Sequence, residues 1–200
     1  SVGININTAP VLDVRRKKAH NIIGTRSFSR SANIVSKLGQ LCINLYNKNR
    51  IGTVVKHIPG HGKSNCDSHY RTPIIKAKRE ELIKKDFKPF KICKSFFAMT
   101  AHAVYPAYDM NNTTTHSKTI INKVIRNHIN FKGILISDDI SMKSLKYNLE
   151  KNVTRALEAG CNLVLHCNGN IMEMSRLARV IPKIDKFTQK KTSDFYKFLG

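Results

Sequence analysis

The residues able to do chemistry in this chain gather at a few places, and most of those places end an apolar run. Lys56-His57 follows Gly52-Thr53-Val54-Val55, and Thr100-Ala101-His102 follows Phe96-Phe97-Ala98-Met99. Ser137-Asp138-Asp139 follows Gly133-Ile134-Leu135-Ile136, and His166-Cys167-Asn168 closes the run that starts at Cys161. Polar groups at the C-terminal ends of several parallel strands fall on one face of the sheet, which is where parallel α/β proteins keep their active sites. Asp138 and Asp139 leave one strand in different directions, so they need not share a role. A rigidly held, ionised carboxylate at such a strand exit suits a covalent nucleophile. A structural cap on local backbone explains an isolated Asp-Asp pair equally well.

The segment from Lys56 to His69 reads Lys-His-Ile-Pro-Gly-His-Gly-Lys-Ser-Asn-Cys-Asp-Ser-His. His57, His61, Asp67 and His69 could ligate a metal, but their spacing matches no zinc signature, and no metal is expected. Gly60 and Gly62 are too few for a phosphate-cradling loop. Asp67 and His69 fit an orienting acid and a proton carrier, because a carboxylate on one imidazole nitrogen fixes the tautomer and steadies the protonated ring. The alternative is a surface loop with casual histidines.

These groups need strands to hold them, and the hydrophobic pattern supplies candidates. Apolar runs cover Gly3 to Asn7, Ala9 to Val14, Gly52 to Lys56, Phe96 to Thr100, Gly133 to Ser137 and Cys161 to His166. Apolar residues at spacings of three and four predict helices over Ala32 to Asn47, over Lys76 to Phe90 with Leu82, Ile83 and Phe87 inward, and along Ile120 to Ile129 with Ser117 as cap. Further helices are expected over Val153 to Ala159, closed by Gly160, and over Ile171 to Val180. Residues 184–200 are lysine-rich and weakly patterned, with a terminal helix as one option. Five strand-then-helix units argue a parallel α/β sheet in one domain over residues 1–200. They suit a small doubly wound sheet or a piece of an eight-unit barrel, and composition does not choose between these.

Lys56-His57-Ile58-Pro59-Gly60-His61-Gly62 followed by Asp67-Ser68-His69 resembles the signature loop of family 3 glycoside hydrolases of the bacterial β-N-acetylglucosaminidase (NagZ) type. Ala9-Pro10-Val11-Leu12-Asp13-Val14 and Ile23-Gly24-Thr25-Arg26-Ser27-Phe28 precede the loop in that family's order. Asp86, Pro89-Phe90, Met99-Thr100-Ala101-His102, Tyr105-Pro106-Ala107, Phe131-Lys132-Gly133, Ser137 to Met142 and Ala156 to Asn162 follow it. The resemblance implies a TIM-like (β/α)8 barrel, here about its last five βα units. It also implies a retaining, exo-acting β-N-acetylhexosaminidase that removes terminal β-linked N-acetylglucosamine from muropeptides in peptidoglycan recycling. Carried over motif by motif, Asp138 becomes the nucleophile, His69 the general acid/base and Asp67 its partner. Arg26, Lys56 and His57 would bind sugar hydroxyls, with His102, Asp139 and Met142 in support. No cofactor is expected, since such a displacement needs a carboxylate, a proton shuttle and water. Family members start well before the position of Ser1, with the first barrel strands and an Asp-Gln-Glu-Gly-Gly-Arg segment that this sequence lacks. The domain is therefore expected to be N-terminally incomplete, and a separately encoded N-terminal piece would be a partner.

The 35 Lys and Arg against 13 Asp and Glu give a formal charge of +22. Attraction to nucleic acid is the direct reading of such a balance. The basic residues are scattered, however, with tight clusters such as Arg15-Arg16-Lys17-Lys18, Lys84-Lys85 and Lys190-Lys191, and no aromatic-interleaved stripe accompanies them. No specific nucleic-acid partner is expected. Five cysteines without a Cys-x-x-Cys pair read as reduced thiols of a cytoplasmic protein. No apolar run reaches membrane-span length, so no membrane partner is expected, and the first residues lack a secretory signal's pattern. Three readings follow: an N-acetylglucosaminidase active once the absent portion is supplied, an inactive remnant of one, and a basic nucleic-acid-binding protein.

Overall fold

The computed structural model describes residues 3–17 and 19–200, so Ser1, Val2 and Lys18 of the segments discussed above lie outside it. Five parallel strands form the main sheet: β1 (Ile6–Asn7), β2 (Gly52–Ile58), β3 (Phe97–Thr100), β6 (Ile134–Asp139) and β7 (Leu163–Leu165). Their spatial order is β1-β2-β3-β6-β7, which is also their order along the chain. A doubly wound sheet reverses direction at a switch point and puts helices on both faces. Sequential order with every crossover on one side is instead the arrangement of a (β/α)8 barrel, of which this sheet is a curled part.

Side-chain alternation along the strands builds two different layers. Val55, Ala98 and Leu135 point toward the crossover helices and join the larger core with Val35, Ile43, Phe90, Ile120, Val124 and Ala156. Those helices are α1 (Ala32–Lys48), α2 (Arg79–Glu81), α3 (Lys88–Ile92), the wide-wound segment Ile120–His128 and α4 (Leu149–Ala159). Val54, Phe97, Met99 and Ile134 point to the opposite, inner face. There they meet Phe195 of α6 (Lys186–Leu199), which follows α5 (Ile171–Val180). Residues 184–200 thus hold a helix capped by Asp185, whose carboxylate accepts from Thr188 N–H at 2.6 Å. Its Phe195 and Phe198 pack on Phe96 at ring separations of 5.3 and 4.8 Å.

Three expectations about elements need correction. The run Ala9 to Val14 is not a regular strand; only Val11 bridges Lys56, with Leu12 N–H donating to Lys56 O at 2.8 Å. The helix expected over Lys76 to Phe90 starts at Arg79, widens into π-type winding over Leu82–Asp86 and restarts as α3. Phe87 N–H there reaches back five residues to Leu82 O, and the extra residue puts Asp86 inside while Ile83 is 37% exposed. An antiparallel hairpin, β4 (Val104–Tyr105) and β5 (Asp109–Thr113), also lies outside the βα pattern, because Asp109-Met110-Asn111-Asn112-Thr113 has no apolar alternation. Asn148 and Gly160 cap α4, the glycine at φ +115° as a left-handed C-terminal position requires. Among the described residues no helix is long and apolar enough to cross a membrane.

Candidate active site

The inner-face alternation that buries Ile134 and half-buries Ile136 carries Asp138 to the C-terminal rim of the same face. Strict alternation along β2 would put Lys56 on that face and His57 on the other. The β2–β3 register shifts between Lys56 and Ile58, and both side chains border one cavity. That cavity has a volume of about 390 Å³, within the range of small-molecule sites. Arg26, Lys56, His57, His61, His69 and Asp138 all line it.

Of the residues expected to act, Asp138, His69, Arg26, Lys56 and His57 line this cavity, whereas Asp67 reaches it only through His69. His69 projects from the loop after β2 with its side chain 61% exposed. Its Nδ1 lies 2.8 Å from Asp67 Oδ1, and that oxygen also accepts the His69 backbone N–H at 2.8 Å. Slight burial works against the Asp67 charge, but the backbone N–H and imidazole of His69 outweigh it and hold the carboxyl below its ordinary value. With Nδ1 committed to Asp67, Nε2 is the nitrogen left to exchange a proton across the cavity.

Asp138 is held differently. Burial opposes its ionisation, but His57, His102 and the Asp139 N–H together hold its pKa below the usual carboxylate range. The Asp139 N–H donates to Asp138 Oδ1 at 2.9 Å, and His57 Nε2 stands 4.0 Å from Asp138 Oδ2. Burial also pulls the Lys56 ammonium below its ordinary value, with Arg26 adding to that and Asp138 opposing it. Arg26 is steadied by a 2.7 Å bond from Nη2 to Ile22 O.

Asp139, His102 and Met142 stand outside the cavity wall. Asp139 accepts from Ser141 N–H at 3.0 Å, Ser141 Oγ at 2.7 Å and Cys167 N–H at 3.3 Å, which ties the loop after β6 to the end of β7. His102 is fully buried between Thr115 Oγ1 at 2.7 Å and Asp139 O at 2.9 Å, and burial pulls its pKa below the ordinary imidazole value while Asp138 and the Asp139 carbonyl oppose that pull. Met142 N–H closes a turn on Asp139 O at 3.2 Å. Among the described residues no group of three or more His, Cys, Asp or Glu could hold a metal ion.

Asp13 received no role from the residues alone, yet it organises the loop. Its fully buried carboxylate lies 2.7 Å from His57 Nδ1 and accepts backbone N–H groups from His57 at 3.2 Å and His61 at 2.5 Å. Burial opposes its charge, but the His57 pair and the His61 contacts lower its pKa overall. An Asp inside the apolar run Pro10-Val11-Leu12-Asp13-Val14 was the available signal, because a carboxylate in such a run must find partners indoors. The loop is also pinned at Gly60, whose carbonyl accepts from Tyr105 Oη at 2.7 Å and whose φ of +137° puts a would-be Cβ 2.9 Å from Asp86. His61 is buried and lowered to about 4, mainly by that burial and then by His57, so its ring is neutral.

Comparison with known proteins places this geometry. Residues 1–194 match the glycosyl hydrolase family 3 N-terminal domain. A beta-hexosaminidase of Idiomarina loihiensis is 35% identical over 172 residues, covering 84% of this chain and 51% of that protein. The chain spans about half the length of the curated relatives it matches. A family 3 beta-N-acetylglucosaminidase from Paenibacillus superposes with a TM-score of 0.87 at 26% identity, over 98% of this chain and 40% of that one. NagZ from Neisseria gonorrhoeae, solved with N-trifluoroacetyl-D-glucosamine, gives 0.84 at 28% identity, over 98% of this chain and 56% of that one.

Proposed function

The chain belongs to glycosyl hydrolase family 3, and from that membership we propose that it carries the reacting groups of a retaining β-N-acetylhexosaminidase. The observation that carries this reading is that Asp138 and His69 line one sugar-sized cavity, each with the surroundings its step needs. Asp138 Oδ attacks the anomeric carbon while the glycosidic C–O bond breaks, and His69 Nε2–H passes its proton to the departing oxygen. Water then attacks the glycosyl ester, gives its proton to His69 and releases Asp138. Retention ordinarily uses two carboxylates; an Asp-oriented imidazole takes the place of one. Imidazole as a class can give up a proton in one step and take one back in the next near neutral pH. Arg26, Lys56 and His57 bind the sugar, and His102, Asp139 and Asp13 hold the rim in place.

The substrate is a glycan ending in β-linked N-acetylglucosamine, such as a muropeptide in cytoplasmic peptidoglycan recycling. The resemblance of the Lys56–His69 loop supports this choice, as does the N-trifluoroacetyl-D-glucosamine bound by the similar NagZ of Neisseria gonorrhoeae. The test is release of aryl aglycone from a chromogenic N-acetylglucosaminide. Wild type is expected to turn over with retained anomeric configuration while Asp138→Ala does not. Absence of turnover by wild type, or equal turnover by Asp138→Ala, overturns the reading.

A further inference from the structure

Beside the cavity that holds Asp138 lies a smaller one of about 160 Å³, walled by Arg15, Arg16, Lys17, His20 and Arg30 with the backbone at Gly62. None of its lining residues is acidic. Arg16 is already engaged, pairing with the buried Asp86 and standing 3.8 Å from Glu81. Arg15, Lys17 and Arg30 enter none of the ion pairs among the described residues. Like charges gathered round one hollow repel, and an anion in the hollow reverses the sign of that interaction.

These cations stand on a pinned framework. Arg15 N–H donates to Ser29 O at 3.1 Å and to Ser27 Oγ at 3.3 Å, and His20 N–H donates to Ser64 O at 2.8 Å. Gly62 packs so tightly that an added Cβ would meet Val14 O at 2.0 Å. Position points to the ligand's source. Ile23 is a wall of both cavities, and His20 lies near enough to Asp67 to favour its charged form. The basic hollow therefore lies close to the Asp67–His69 pair, and under the hydrolase reading His69 is the residue that meets the departing group's oxygen.

We propose that this hollow is an oxyanion subsite that takes a carboxylate or phosphate group carried by the aglycone. The assignment of the aglycone rests on the hydrolase reading, whereas oxyanion binding itself does not. Guanidinium–oxyanion bonds are charge-assisted and among the stronger hydrogen bonds.

Two measurements separate the parts. Inorganic phosphate titrated into the wild-type chain at low salt is expected to give saturable amide shifts at residues 15–30 and Gly62, and Arg15→Gln/Arg30→Gln is expected to lose them. No saturable shift, or the same shift in the double variant, overturns the subsite. The second arm compares aryl N-acetylglucosaminides with and without a carboxylate on the ring. The acidic substrate is expected to show kcat/KM roughly tenfold higher, through KM, and the double variant is expected to lose that preference while hydrolysing the neutral substrate as wild type does. Equal kcat/KM for both substrates, or a preference that survives in the double variant, overturns the aglycone as the source. If wild type hydrolyses neither, the hydrolase reading and the aglycone source fail together, and the phosphate arm alone decides the oxyanion subsite.

Discussion

Asp138 and His69 border one cavity and are held in opposite ways. Asp138 ends a central strand with its side chain 20% exposed, and its partners come from three other segments of the chain: His57, His102 and Asp13 acting through His57. His69 is 61% exposed, and the hydrogen bonds that orient it come from Asp67, two residues away. A nucleophile has to meet one carbon along one line, so distant parts of the fold fix it. A proton carrier has to reach an oxygen that arrives with the substrate, so a locally braced loop residue can follow that oxygen. Under the proposed mechanism, the scaffold fixes the nucleophile in advance and leaves the proton carrier to be placed by substrate.

The sharpest break would come from Asp138→Ala, which should lower turnover by roughly 10⁴-fold or more because no other group lining the cavity can form the ester. Asp13→Ala tests the buried side through stability. Removing a fully buried carboxylate that pairs with His57 should cost about 3–5 kcal/mol in urea unfolding, while Asp67→Ala on the exposed pair should stay within about 1 kcal/mol. Equal costs would erase the contrast. His69→Ala should slow hydrolysis by about 10²–10³-fold for a poor leaving group and much less for an activated phenol, measured as kcat/KM across a leaving-group series. A loss independent of the leaving group would remove His69 as proton donor.

The remaining contrast is with pH. His61 and His116 are both lowered to about 4, chiefly by burial, so the unfolded chain binds their protons first and stability falls as pH drops from about 6.5 to about 4. Each shift corresponds to about 3 kcal/mol. Asp86, raised to about 6 mainly by burial, works in the opposite sense over the same range and offsets about one of them. Urea midpoints at pH 7 and pH 4.5 should differ accordingly, and His116→Gln should narrow the gap. Activity should respond otherwise, because the lowered Asp138 pKa keeps the nucleophile ionised until the pH falls below the ordinary carboxylate value.

Much of this was legible from residue order. Apolar runs ending in Lys56, Thr100 and Ser137 marked the sheet, since strands buried on both faces read as continuous hydrophobic stretches. Their sequential spatial order was not legible from composition, because a run encodes burial and not the identity of its neighbour. The turning of His57 onto the inner face was hidden too, because it depends on an irregularity at Lys56–Ile58 that period-two reasoning does not contain. Asp13 was visible only as a charge in an apolar run, and its partners lie 44 and 48 positions away. The Asp67-x-His69 brace is local and could be read directly.

The most direct test of a nucleophile at Asp138 and a proton carrier at His69 is to trap the ester. A 5-fluoro N-acetylglucosaminide with an activated leaving group, followed by proteolysis and mass spectrometry, should leave one glycosyl adduct, on Asp138. An adduct on another carboxylate, or continued turnover with no adduct and inverted product, would contradict it.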